Sequence, residues 1–300
     1  MHPLVPPFLS QALTARYGAE MAEEICAGFL TRRPVTFRIN TLKATAEEAD
    51  AALAEAGVAV RPVPWYGDAR IADGALERDL QALPLYTEGK IYLQSLSAMV
   101  PALLMPLEGS PSVLDMCAAP GGKSTQMAAL SGGSISLTCC ERDALRAQRL
   151  RHNLALQGAG RAVVMNTDAR RLDPLFRFDA ILLDAPCTGS GTLVLDGSQP
   201  PRRMEPAWVS KTVATQKALM KRALQALRPG GTLVYATCSI LREENEEVVQ
   251  TALDAGARLL PVDPAWESRL PTLPVSLPGC LCIRPTGLYE GFFAARLQKQ

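Results

Sequence analysis

The sequence predicts an α/β protein: a Rossmann-like, doubly wound parallel sheet preceded by a small α/β module. Three observations carry this expectation. From residue 112 onward, short apolar runs alternate with segments of helical period. A glycine-rich turn at 117–124 joins the first of those runs to the helix behind it. Acids or cysteine-bearing motifs then recur at the carboxyl ends of the runs, the edge at which such sheets hold ligands.

In chain order, residues 9–30 read as one or two helices, 35–40 as a strand, 46–56 as an alanine-rich helix stopped by Gly57, and 58–63 as another strand. With the loops read over 64–84, these form the expected module, residues 1–84. Residues 85–300 form the expected main domain, in which 91–105 reads as a leading helix. Strands follow at 113–116, 134–140, 162–166, 178–184, 231–237 and 257–260, with helices at 122–130, 143–157, 207–227 and 242–254. A proline-rich connection, 261–278, is expected to wrap the surface.

The glycine-rich turn reads Asp115-Met116-Cys117-Ala118-Ala119-Pro120-Gly121-Gly122-Lys123-Ser124. At a strand-to-helix turn the backbone N–H groups point at a ligand, and paired glycines allow its close approach. Two cofactor classes compete for this loop. Gly-Gly-Lys-Ser resembles the end of a P-loop, and 178–184 passes for the strand and Mg²⁺-holding Asp of a nucleotidase. The P-loop pattern, however, wants Gly at the position of Cys117, and Pro120 has no N–H to offer a phosphate. Glu141 after the second core strand suits a ribose diol, and Asp168 after the third can receive an adenine amino group. A nucleoside cofactor such as S-adenosylmethionine fits that arrangement better than a triphosphate.

At 48% apolar and 20% charged, 300 residues allow one sizeable core and a smaller appended unit. No apolar run is long enough to span a bilayer, and the first residues carry prolines and Glu20 instead of a basic-then-apolar signal, so a cytoplasmic protein is expected. Eight cysteines in a mixed α/β enzyme are expected as reduced thiols, with Cys139-Cys140 and Cys280-x-Cys282 buried on strands. With only His2 and His152 beside them, no metal site is expected. Net charge is +1, so polyanion contacts must come from local patches. The candidates are Arg32-Arg33, Arg38, Lys43, Arg202-Arg203 and Lys217/Lys221/Arg222.

Two further strand ends suggest the chemistry: Asp184-Ala185-Pro186-Cys187-Thr188-Gly189-Ser190-Gly191 and Tyr235-Ala236-Thr237-Cys238-Ser239. A lone cysteine at a strand end is usually structural. Two at strand ends flanking the first core strand point to a functional pair. Carbon 5 of a pyrimidine becomes nucleophilic enough to accept a methyl group once a thiolate has added to carbon 6, and the thiol must afterwards be expelled. An attacking thiol, an assisting thiol and a carboxylate suit that cycle, and Lys123 and the cofactor's sulfonium would favour the thiolate.

These segments, together with Thr-Cys-Ser-Ile followed by Glu243-Glu244-Asn245-Glu246, resemble the RsmB/Nop2/Sun family of RNA cytosine-5 methyltransferases. So do Phe37-Arg38-Ile39-Asn40-Thr41-Leu42-Lys43, the lead-in Gly89-Lys90-Ile91-Tyr92-Leu93-Gln94-Ser95 and the final Gly291-Phe292-Phe293-Ala294-Ala295-Arg296-Leu297, so the resemblance covers 35–298. It implies a class I S-adenosylmethionine-dependent methyltransferase sheet with an N-terminal RNA-binding module. It also implies Cys238 as nucleophile, Cys187 as the group assisting release, Asp184 on the cytosine edge and Lys123 beside base and cofactor. The cofactor pocket would be lined by Cys117, Ala118, Ala119, Pro120, Gly121, Gly122 and Lys123, with Glu141, Arg146, Asp168 and Asp184. The assignment of attack to Cys238 rests on the resemblance, since DNA cytosine methyltransferases use the Pro-Cys thiol. Tyr289-Glu290 departs from the family's usual Asp before Gly-Phe-Phe.

The expected function is therefore RNA cytosine-C5 methylation by a monomer. On the resemblance, rRNA is preferred to tRNA as the substrate. A P-loop nucleotidase and a non-catalytic RNA-binding or assembly factor are the alternatives. Because the last strand reaches the end of the sequence, target choice is expected to come from the N-terminal module and loops.

Overall fold

The computed structural model describes residues 4–195 and 204–300. The Arg202-Arg203 patch lies outside them. The chain opens with α1 (Pro7–Phe29), followed by β1 (Val35–Ile39), α2 (Ala46–Glu55), β2 (Val60–Val63), β3 (Tyr66–Ala72), α3 (Glu77–Gln81), α4 (Pro84–Thr87) and β4 (Ile91–Leu93). Then come α5 (Leu96–Leu103), β5 (Ser112–Asp115), α6 (Gly122–Leu130), β6 (Ser136–Cys140), α7 (Ala144–Leu156), β7 (Val163–Met165) and β8 (Phe178–Asp184). The last third holds α8 (Pro206–Ala226), β9 (Leu227–Thr237), α9 (Glu246–Asp254), β10 (Arg258–Leu260), α10 (Ala265–Arg269), β11 (Leu281–Ile283) and β12 (Phe292–Gln298).

The main sheet has the order β10-β12-β9-β8-β5-β6-β7, with β11 paired to β12. Strands β5 to β9 run parallel, and β12 returns antiparallel to β9. Its two faces can be read as a period of two along each strand. Leu114, Ile181, Leu183, Leu233, Tyr235 and Phe293 face one way, onto α1, α8 and α9. Val113, Ala180, Leu182, Val234, Ala236 and Phe292 face the other, onto α5, α6, α7 and α10. Burying large side chains on both faces supplies about 1.5–3 kcal/mol apiece before entropy, which explains why the strands are almost continuously apolar.

The smaller sheet is antiparallel, in the order β2-β3-β1-β4. Phe37, Ile39 and Ile91 turn to α2, α3 and α4, while Val63, Tyr66, Ala69 and Ile71 turn to Leu96 and Met99 on α5. Helix α2 starts at a capping box in which Thr45 and Glu48 satisfy each other's backbone N–H.

Three expectations are corrected here. Residues 91–95 are strand and cap, and the leading helix begins only at Leu96. Residues 66–72, read as loop, form β3; Gly67 and Asp68 mimic turn chemistry, and the strand's inward positions include the small Ala69 and Ala72. Helix α1, broken at Gly18 (φ 80), packs on the main sheet, whereas β4, beyond residue 84, closes the smaller one. No helix among the described residues is long and apolar enough to cross a membrane.

Candidate active site

The carboxyl ends of β5, β6, β7, β8 and β9 form one edge. The chain leaves β5 for β6 and β7, then returns to β8 on the other side of β5, so the crevice at that switch point lies over the glycine-rich loop. Gly121, with φ 115 in the left-handed region, turns the chain into α6; a Cβ there would stand 3.1 Å from Leu150. Two of the loop's amides are spent inside the protein. Cys117 N–H donates to Asp115 (3.3 Å), and Ala118 N–H donates to the Cys140 carbonyl (3.0 Å). They do not form a phosphate cradle, and Lys123 turns to Asp184 instead. This geometry argues against the P-loop reading. Burial pushes the Asp115 carboxyl up to about 6, and Ser124 donates to it at 2.6 Å.

Beside the loop lies a cavity of about 260 Å³, lined by Cys117, Ala119, Glu141, Arg146, Asp168 and Asp184 and closed by Leu219. Glu141 is buried at the end of β6, accepting from Asp143 N–H at 2.8 Å. Arg146 reaches back to the Ala119 carbonyl (2.8 Å) and stands 3.4 Å from Glu141, tying the loop to that acid. Asp168 lies three residues beyond β7, and its carboxylate is engaged by Arg170, whose hydrogen bonds hold it below the usual carboxylate range. Arg170 is 38% exposed and is the part that can swing aside. Two carboxylates after successive strands in a nucleoside-sized cavity offer hydrogen-bond acceptors of the kind that suits a ribose diol and an amino group. On the loop side, Ala118, Pro120, Gly122 and Lys123 border a second cavity of about 190 Å³ that shares Cys117, Ala119 and Asp184 with the first; Gly121, expected to line the pocket, borders neither cavity and turns toward Leu150 and Asn153.

Cys187 and Cys238 both open onto the larger cavity, their sulfurs 3.2 Å apart. The two thiols were expected from strands bordering β5. In fact β8 borders β5, and β9 lies one strand further out; the meeting is made by the loops that leave β8 and β9. The hydrogen bond to Cys238, with burial, pushes the Cys187 thiol well above the ordinary range. Lys123 Nζ lies 2.7 Å from Asp184 and 5.1 Å from the Phe292 ring centroid. Burial alone would lower Lys123, but Asp184 and Asp115 more than offset it and hold the ammonium above the lysine range.

Arg38 does not belong to an exposed phosphate-tracking surface. It is fully buried, donating to Gln94 Oε1 (3.0 Å), the Gly122 carbonyl (3.0 Å) and Thr125 Oγ1 (2.6 Å). Alternation along β1 explains this: Phe37 and Ile39 face the small module's own core, so Arg38 faces α6. Arg38→Ala is expected to cost about 3 kcal/mol of unfolding free energy in urea titrations, because charged hydrogen bonds are lost and their acceptors stay buried. Lys43 is exposed, donating to the Glu88 carbonyl at 2.9 Å. Arg222 is likewise internal, holding the Leu172 and Asp173 carbonyls, while Lys217 and Lys221 are exposed. Arg32 and Arg33 line a groove of about 990 Å³ between the small sheet and the main domain, with Arg78, Tyr86, Tyr92 and Asn153. The groove shares Tyr92, Leu93 and Gln94 with the smaller cavity beside Lys123.

Sequence reasoning gave no role to Glu244 and Asn245, which are buried and hydrogen-bonded to the residues around the two cysteines. The signal was present, since an amide inside an acidic run at the start of an apolar helix marks a turn with internal partners. Gln94 is another, bridging Arg38, Gln126 and the Ala98 carbonyl.

Residues 101–298 match the family described as 16S rRNA methyltransferase RsmB/F, and residues 5–76 match the RsmF/B-like ferredoxin-like domain. Ribosomal RNA small subunit methyltransferase F of Salmonella agona (strain SL483) is 37% identical over 286 residues, covering 89% of this chain and 58% of its own length. The protein of the same name from Klebsiella pneumoniae (strain 342) is 36% identical over 285 residues, with the same shares. The chain thus spans 58% of the length of these curated relatives. Among solved structures, a methyltransferase homologue from Pyrococcus horikoshii is similar, with a TM-score of 0.82 at 28% identity over 99% of this chain and all of that one. NSun6 from the same organism, solved with SFG, gives a TM-score of 0.86 at 22% identity, over 99% of this chain and 98% of its own, a likeness of fold.

Proposed function

Because this chain belongs to the RsmB/F family of 16S rRNA methyltransferases, we propose that it methylates carbon 5 of a cytosine in RNA, with S-adenosylmethionine as donor. The observation that carries this reading is the pair of thiols 3.2 Å apart at the mouth of the nucleoside-sized cavity, beside Lys123 and Asp184. When bound, the cofactor supplies an electrophilic methyl group, held by Glu141, Asp168 and the loop from Cys117 to Lys123, with Arg146 fixing Glu141. Cys238 adds as thiolate to carbon 6 and makes carbon 5 nucleophilic. Asp184 and Lys123 hold the polar edge of the base. Once the methyl group is on carbon 5, water takes the carbon 5 proton as the bond between carbon 6 and the Cys238 sulfur breaks, and Cys187 donates its S–H to the departing sulfur and regains a proton from solvent.

Family membership favours rRNA over tRNA. The proposed protein is a cytoplasmic monomer, as the sequence leads one to expect. Transfer of labelled methyl groups to total RNA, followed by identification of the modified base, tests the reading; labelled ATP hydrolysis without methyl transfer would overturn it. Asp168→Ala is expected to weaken S-adenosylmethionine binding about 10–100-fold in calorimetry with the fold intact, the range for losing a charge-assisted hydrogen bond.

The groove between the small sheet and the main domain is the RNA approach. Its arginines and tyrosines offer phosphate contacts and stacking faces, and it leads through Tyr92 and Gln94 to Lys123. A target base inside a duplex would have to be turned out to reach Lys123, at a cost of about a few kcal/mol. Replacing Arg32 and Arg78 together by Ala is expected to weaken RNA binding and flatten the log–log salt slope by about 1–2. Affinity for S-adenosylmethionine should stay unchanged; an unaltered slope places the RNA elsewhere.

A further inference from the structure

Two adjacent residues hold the loops that carry the thiols. Glu244 ends a single helical turn, Arg242–Glu244, just before α9 and is fully buried. One of its carboxylate oxygens accepts from Thr188 N–H at 2.8 Å and the other from Thr188 Oγ1 at 2.6 Å. Thr188 directly follows Cys187. Asn245 accepts from Thr237 Oγ1 at 2.5 Å and donates to the Ser239 carbonyl at 2.9 Å, gripping the residues on either side of Cys238. The loops are also stitched to each other, with the Ser190 and Ser239 hydroxyls 2.8 Å apart and Gly191 N–H donating to the Cys238 carbonyl at 3.0 Å. Among the described residues no cation pairs with Glu244, and a buried carboxylate without one is costly. Burial raises its pKa, against which the Ser239 hydroxyl and the two Thr188 hydrogen bonds act.

We propose that Glu244 and Asn245 are positioning residues that set the separation of the two thiols, Glu244 by holding the Cys187 loop and Asn245 by holding the Cys238 loop. The assignment rests on the reading of the thiols as the reacting pair. It predicts a split between steps that general loss of stability does not produce. Loosening the Cys187 side slows release and lets the protein–RNA adduct build up. Loosening the Cys238 side slows formation of the adduct.

The separation can be read without RNA by treating the full chain with diamide, which takes up two hydrogens as the paired thiols close to a disulfide. Mass spectrometry of the linked Cys187 and Cys238 peptides follows the rate. Glu244→Ala is expected to close at least tenfold more slowly than the wild type. Glu244→Gln, which keeps an acceptor for Thr188 N–H and can donate to Thr188 Oγ1, should stay within twofold. If Glu244→Ala does not fold, Thr188→Val removes the hydroxyl half of the clasp and should close at least threefold more slowly. A wild type that does not close, or Glu244→Ala or Thr188→Val closing at the wild-type rate, overturns the proposal. In single turnovers, adduct should accumulate with Glu244→Ala and form slowly with Asn245→Ala; equal losses of both steps in both variants also overturn it. A wild type that closes the disulfide yet transfers no methyl group would refute the methyltransferase reading instead.

Discussion

Replacing Cys238 by alanine is expected to abolish methyl transfer, with a loss on the order of 10⁴-fold or more, as when a covalent nucleophile is deleted. That corresponds to about 5.5 kcal/mol of transition-state stabilisation. The other thiols lining the cavity are disfavoured as nucleophiles, since burial pushes Cys117 well above the ordinary range and Cys140 up to about 12. The hydrogen bond to Cys238 and burial push the thiol of Cys187, the neighbouring sulfur, well up, and the burial remains in the variant; Lys123 is held as an ammonium by Asp184 and Asp115. The variant should fold, since Cys238 is only partly buried and a single sulfur is removed. It should still bind S-adenosylmethionine, because Glu141 and Asp168 are untouched. Denaturing gels of the variant with RNA and cofactor should show no covalent species. A band retained by Cys238→Ala and lost from Cys187→Ala would reverse the two roles.

Cys187→Ala is expected to act on the other half of the cycle. Addition by Cys238 does not require the second thiol, so the adduct forms. Expulsion loses its S–H donor, so turnover falls by roughly 10²–10³-fold, the scale of one acid/base group, while a slow band that survives boiling accumulates. The difference between the two variants lies in which species is present, not in how much activity remains. Cys187→Ser keeps a donor of shorter reach and should give an intermediate amount of adduct.

Much of this site could be read from the sequence because its parts lie at strand ends, where short-range pattern and motif coincide. The loop at 117–124, the acids Glu141 and Asp168 and both cysteines each follow an apolar run that forms a strand of the main sheet. What could not be read was long-range. The exposed or buried fate of Arg38 depends on which face of β1 meets α6, and β1 belongs to a different sheet. The small sheet's extent is hidden for the same reason: β4, its edge strand, is three residues long and is defined by pairing with β1, more than 50 residues earlier, not by its own composition. Glu244 and Asn245 look like members of a solvated acidic run until the loops they hold are folded over them.

The reach of Arg38 into the carbonyl of Gly122 bears on how the proposed methyltransferase can be re-engineered. A substrate-recognition unit is often treated as a cassette to be exchanged for another that reads a different target. Here the small sheet contributes a guanidinium to the first turn of the cofactor helix and borrows its fourth strand from the segment that starts the catalytic fold. Exchanging it whole would remove a structural part of the cofactor loop along with the recognition surface. Retargeting has to proceed by substitutions on the open side of the groove, at positions such as Arg32 and Arg78, with the β1–α6 seam left as it is.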